Sequence, residues 1–213
     1  MQYTGHLDLH KTWERTLRRA GLPLAYSLGF NPQPKIQLAA ALPLGHTSEC
    51  EIVDVWLEAP HPLPSVRLAL DRAAPPGIGI LDLTEVPPSG PALQTMISAA
   101  EYRVTLDCDE PAAAADQRIT NLLAASEILR ERRGKSYDLR PLIETLSRHP
   151  GTGSSITLDV RLRARAGATG RPEEVVAALG WPSDAAAYHR VRLLLTEMSP
   201  TWKELPHAES APH

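Results

Sequence analysis

The chain has 213 residues, 43% of them apolar and 22% charged, with a formal net charge of −3. That is enough apolar material for a core in one or two domains, and it excludes a protein whose overall basicity announces nucleic-acid binding. Cys50 and Cys108 lack CxxC or Cys/His spacing, and no apolar run reaches the about 18 residues of a membrane helix, so no cofactor, no membrane and a soluble cytoplasmic chain are expected.

Met1 to Thr4 reads as a short strand. His6 to Ala20 then reads as a helix, because Leu9, Trp13, Leu17 and Ala20 recur at helical spacing, and Gly21 and Pro23 end it. Leu24 to Ser27 is a short strand. The next stretch, Gly29-Phe30-Asn31-Pro32-Gln33-Pro34-Lys35, reads as a stiff loop. Gly29 admits positive φ, and Pro32 and Pro34 fix their own φ and extend the residues before them. The loop would present Asn31, Gln33 and Lys35, with Phe30 as its buried apolar anchor; the plain alternative is a strand crossover. Strands follow over Ile36–Ala41, Glu49–Glu58 and Ile78–Val86, with a helix over Pro64–Ala73 between the last two.

A Pro/Gly-rich linker starts at Pro87, and the order of elements then repeats. Strands are expected over Ala99–Asp107, Ile128–Arg133, Ser154–Ala166 and His189–Glu197. Helices are expected over Pro111–Ala125, Asp138–Arg148 and Arg171–Leu179. The sum is an α+β protein of two tandem ferredoxin-like β-α-β-β-α-β units with antiparallel sheets, over residues 1–90 and 91–198, with a disordered tail over 199–213.

Charge is uneven. Residues 1–90 hold 7 Lys/Arg against 9 Asp/Glu, whereas 126–171 hold 10 against 5. Lys11, Arg15, Arg18 and Arg19 form a basic ridge on the first helix, away from Trp13 and Leu17, and Lys35 is expected to extend it. A second basic set comprises Arg130, Arg132, Arg133, Lys135 and Arg140 with Arg161, Arg163 and Arg165. The last three share one face of a strand. Such cations suit phosphates, which Arg and Lys contact without reading sequence; the alternative is a solvated, partly neutralised face. His6 and His10 stand at i and i+4 with Asp8 between them, yet no third metal ligand is visible. No Gly-rich phosphate loop, Gly-x-Ser-x-Gly or CxxxCxxC is present.

Three motifs carry a family resemblance. They are His6-Leu7-Asp8-Leu9, the run Arg18-Arg19-Ala20-Gly21-Leu22-Pro23-Leu24-Ala25-Tyr26-Ser27, and Gly29-Phe30-Asn31-Pro32 with Pro34-Lys35. Together with Lys135-Ser136-Tyr137-Asp138-Leu139-Arg140-Pro141-Leu142, they resemble the bacterial radical SAM-linked protein family. That family is a domain of unknown function found beside or fused to cobalamin-binding radical SAM proteins. The resemblance implies a radical SAM/cobalamin-binding partner, which would hold the iron–sulfur cluster that this chain has no motif for. Gln33 stands where the family often has His.

Three readings stay open. The first is a non-catalytic accessory or substrate-presenting module that binds RNA or another polyanion through Lys11, Arg15, Arg18, Arg19, Asn31, Lys35, Arg140, Arg161 and Arg163. The second, by fold-level analogy with CRISPR repeat-processing endoribonucleases, is a metal-independent nuclease with His6 as general acid–base and Arg15, Arg19 or Lys35 stabilising the phosphorane. The third is a protein–protein scaffold docking through the 26–35 loop.

Overall fold

The computed structural model describes residues 3–150, 155–165 and 167–196; the expected tail from 199 lies outside them. Helix α1 spans His6–Arg19 and buries Trp13, Thr16 and Leu17, following the apolar spacing. Thr12 and Thr16 donate their hydroxyls to the carbonyls four residues back, at 2.7 and 2.8 Å, which lets a polar residue sit on the packed side. Asp8 in the first turn and Arg18 and Arg19 in the last complement the helix dipole. Gly21, at φ +69°, closes the helix. Its N–H donates to the Arg18 carbonyl and that of Leu22 to the Leu17 carbonyl, the paired bonds of a Schellman cap.

The chain then forms a narrow antiparallel ribbon. Leu24 pairs with Leu57 and Tyr26 with Pro34. Beyond them come β1 (Ile36–Leu38), β2 (Thr47–Ser48) and β3 (Val53–Val55), of which β1 and β3 pair with Ile36 opposite Val55. Leu24 and Ile36 bury against Leu17 of α1 and against Val66 and Leu70 of α2 (Leu63–Ala73). The strand expected over Ile78–Val86 forms no ladder among the described residues. Ile80 and Leu83 pack at the margin of this cluster, but Leu81 breaks the alternation and is exposed.

The second half runs α3 (Leu93–Met96), β4 (Ile97–Asp107), α4 (Ala112–Ala124), β5 (Leu129–Arg132), β6 (Lys135–Asp138), β7 (Ile143–Arg148), β8 (Ser155–Arg165), β9 (Ala168–Thr169), α5 (Pro172–Ala178) and β10 (Ala187–Leu195). The main sheet has the order β2-β10-β4-β8-β7, with β9 beside β8 and a separate β5–β6 hairpin. Alternate residues Tyr102, Val104 and Leu106 of β4 and Ile156, Leu158, Val160 and Leu162 of β8 are buried in one cluster with Ile119 and Leu122 of α4 and Val175 and Val176 of α5. Their neighbours of opposite parity form a polar outer face.

The protein is therefore α+β, with antiparallel and mixed sheets. Of the two tandem ferredoxin-like units expected, the second half keeps the β-α-β-β-α-β order, as β4, α4, β7, β8, α5 and β10 with the antiparallel arrangement β10-β4-β8-β7 and the β5–β6 hairpin inserted, whereas the first half does not. Residues 1–90 close only the two-stranded β1–β3 sheet and lend β2 to the other half, where it lies parallel to β10. The helix expected over Asp138–Arg148 is a second correction: a 3₁₀ turn at Arg140–Leu142 runs into β7. Leu139, Leu142, Ile143 and Leu146 have helical spacing. A register shift between Ile143 and Thr145 inserts an extra residue into the strand, so Ile143 and Leu146 are both buried.

Candidate nucleic-acid interface

The 26–35 stretch is a closed hairpin loop. The Ser27 N–H donates to the Gln33 carbonyl at 2.8 Å, the Gln33 N–H to Ser27 Oγ at 3.0 Å, and the Lys35 N–H to the Ala25 carbonyl at 2.9 Å. Gly29 has φ +139°, a conformation that favours glycine. Pro34 is buried, while Leu28, Gly29, Phe30, Asn31, Pro32 and Gln33 are all exposed. Phe30 is therefore not the buried anchor expected of it. Like Leu28 it is fully exposed, because residues 28–32 lie beyond the last rung and have no facing element to pack on. Pro34 and Ile36 anchor the loop instead.

The ridge on α1 is exposed and largely unpaired. Lys11, Arg15 and Arg19 have no ion pair among the described residues, whereas Arg18 pairs with Glu14 at 2.9 Å. The Arg18 guanidinium also lies 5.9 Å from the centroid of the Tyr26 ring, which brings the ridge to the loop. Lys35 is exposed too and has no ion pair among the described residues, but it does not extend the ridge. Tyr26 and Pro34 share the side of the ribbon that carries Leu24 and Ile36, so Lys35, one residue off, rises from the opposite side. The loop tip is the edge between these two sides.

The second basic set is arranged differently. Arg161 donates through Nε to Glu101 at 2.8 Å, Arg163 approaches Glu144 at 3.7 Å, and Arg103 pairs with Asp159 at 3.3 Å across the same outer face. Arg140 spends its guanidinium on the carbonyls of Leu123 and Ile143, at 3.1 and 3.3 Å. Arg132 bonds Thr169 and Tyr137, its guanidinium carbon 4.8 Å from the tyrosine ring centroid. Arg133, Lys135 and Arg165 remain exposed.

Sequence reasoning missed a buried polar cluster that joins the two halves. Arg190, 3% exposed, donates to both Glu51 oxygens at 2.8 and 3.1 Å, to the Ala41 carbonyl at 2.8 Å and to the Tyr102 hydroxyl at 3.3 Å. Its burial opposes the charge, but Tyr102 and Glu51 outweigh that and raise its pKa. His46, 2% exposed, holds Glu173 through Nε2 at 3.0 Å and stacks on Tyr188 at 4.8 Å between ring centroids. Burial alone would raise the Glu173 carboxyl; the hydrogen bonds from His46 and from its own backbone, with His46 and Arg171 close by, together outweigh burial and hold it below the ordinary range. Burial pushes the neighbouring Cys50 thiol up to about 11, so it is no ready thiolate nucleophile. The donors of Arg190 are spent on protein groups, and the cluster fastens residues 41–51 to β4 and β10. Arg190 is one of two Arg on β10, and nothing in the spacing of that strand sets it apart from Arg192.

His6 is exposed at the start of α1 and has no hydrogen-bond or ion-pair partner among the described residues. No group of three His, Cys, Asp or Glu side chains is placed to hold a metal among them, and no helix is long and apolar enough to cross a membrane. A cleft of about 2340 Å³ runs between the ribbon and the outer face of the main sheet, lined among others by Asp54, Trp56, Leu81, Glu101, Arg103 and Arg161.

Solved structures overlay on most of the chain. One is a Cbf5-Nop10-Gar1 complex, at 12% identity over 89% of this chain and 45% of the other, with a TM-score of 0.49. Another is an H/ACA RNP bound to a substrate RNA containing 2'-deoxyuridine, at 13% identity over 88% of this chain and 43% of the other, with a TM-score of 0.42. The chain spans less than half the length of those chains. No curated protein sequence matches the chain. The model of the DUF2344 family, described as an uncharacterized protein conserved in bacteria, matches residues 1–172, and the chain belongs to that family.

Proposed function

We propose that this chain is a non-catalytic accessory module that binds RNA and works beside a radical SAM enzyme. One observation carries the RNA reading. Among the described residues, Lys11, Arg15 and Arg19 stand exposed and without acidic partners on one helix side, beside a stiff loop that holds aromatic side chains in solvent. Unpaired cations next to exposed aromatic rings suit a single strand, whose phosphates take the charges and whose bases stack. The motifs around residues 6–35 and 135–142 support the radical SAM partner, as the resemblance implies. A titration of single-stranded RNA at several salt concentrations tests the reading. Affinity should fall with salt, with a slope of about −0.7 per phosphate contacted. No binding even at low salt would remove it.

A second reading, docking of a partner protein through the 26–35 loop, is favoured by the full exposure of Leu28 and Phe30. Apolar residues held out on a stiff support suit the core of an interface. Co-purification of a radical SAM protein with wild type but not with Phe30→Ala would favour it.

A further inference from the structure

The side of the ribbon facing away from α1 carries a pocket. Gln33, Lys35 and Gln37 alternate along the chain and share one side, and the β1–β3 register sets Trp56 opposite Lys35 and Asp54 opposite Gln37. Ser27, opposite Gln33 across the last rung, completes the row. Ser27, Gln33, Lys35, Gln37 and Trp56 line an open, shallow pocket of about 370 Å³, together with Pro34 and Ile36 between them along the chain. That volume lies at the small end of the about 300–1,000 Å³ of ligand sites, and it suits one planar group better than a peptide.

The lining offers three kinds of contact. Half-buried Trp56 supplies an aromatic ring, and Lys35 supplies an ammonium with no ion pair among the described residues. Gln33 and Gln37 supply amides, each with a donor and an acceptor. Gln37 Oε1 already accepts the Leu93 N–H at 3.2 Å, which orients that amide, while the Gln33 side chain has no partner among the described residues. Asp54 stands at the far end of the row, so a phosphate is favoured at the Lys35 end.

We propose that this pocket takes one unstacked nucleobase of a single-stranded RNA, stacked on Trp56, with its edge against the Gln33 and Gln37 amides and its phosphate on Lys35. The proposal rests on the RNA-binding reading and adds base discrimination to it.

The test compares short fluorescein-labelled A, C and U homopolymers with a duplex of mixed sequence, on the full chain. Wild type should bind one homopolymer about tenfold more tightly than the others, and more tightly than the duplex, since one good base-edge contact discriminates by about that factor. Gln33→Ala, at an exposed position, should level the homopolymers and leave the salt slope unchanged. Trp56→Ala should weaken all single strands, and Trp56→Phe should restore much of the loss. Persistent RNA binding with no homopolymer preference, or a preference untouched by Gln33→Ala, would overturn this proposal and leave the RNA reading standing. No binding of any RNA at low salt would overturn both.

Discussion

The arginines of α1 and those of β8 look alike in sequence and end in opposite surroundings. On α1, Arg15 and Arg19 face solvent without acidic partners among the described residues. On β8, Arg161 and Arg163 face Glu101 of β4 and Glu144 of β7, which the sheet brings to the same face. A helix sets its own neighbours three and four residues away, so the unpaired state of a helical ridge can be read from one segment. A strand meets its neighbours across the sheet, and the carboxylate facing Arg161 comes from a residue 60 positions away. Clustered cations therefore mark a binding surface only after their partners have been found.

The comparison can be broken at its structural end first. Arg190 is the arginine most fully built into the protein, and Arg190→Ala leaves Glu51 and Tyr102 without their partner. Removing one member of a buried pair costs about 3–5 kcal/mol, and because Glu51 keeps some solvent the lower end is expected. A denaturant melt checks this; a loss below about 1 kcal/mol would mean that the cluster does not fasten the two halves.

A smaller effect comes from the His46–Glu173 contact. The Glu173 carboxyl is held below its ordinary range, so it contributes stability above the unfolded-state value of about 4.3 and loses it as pH falls through the depressed folded value. Melting temperature measured from pH 6 downward should therefore fall more steeply for wild type than for Glu173→Gln. Parallel curves would remove this contact from the acid response.

The smallest stability effect is expected at the loop tip. Phe30→Ala would cost about 3–5 kcal/mol if the ring were buried, but at a fully exposed position the change should stay within about 0.5 kcal/mol. A thermal melt decides between these values, and a large loss would return Phe30 to the core.

Much of the local structure was legible in the sequence. The α1 stripe, its Gly21 end and the alternation of β8 all follow from short-range spacing. The loop at 26–35 was legible as stiff, through its prolines and glycine. Which side of it faced the core was not, because that depends on the pairing of Tyr26 with Pro34. Phe30 was misplaced on the assumption that the only Phe must be buried, although apolar type alone does not decide burial. The helix expected over Asp138–Arg148 failed on a bulge, whose extra residue imitates helical spacing. The sites that depend on distant partners, Arg190 with Glu51 and His46 with Glu173, left no pattern along the chain to read.

The measurement that bears most directly on the account sets the two arginine groups against each other. Single-stranded RNA affinity would be measured against salt for wild type, for Arg15→Ala with Arg19→Ala, and for Arg161→Ala with Arg163→Ala. The α1 pair should flatten the slope of log K against log salt by about 1.4, two phosphate contacts at about 0.7 each. The β8 pair should leave the slope at the wild-type value, since its charges are already matched by carboxylates. A slope that falls with the β8 pair and holds with the α1 pair would contradict the account and move the interface to the outer face of the sheet.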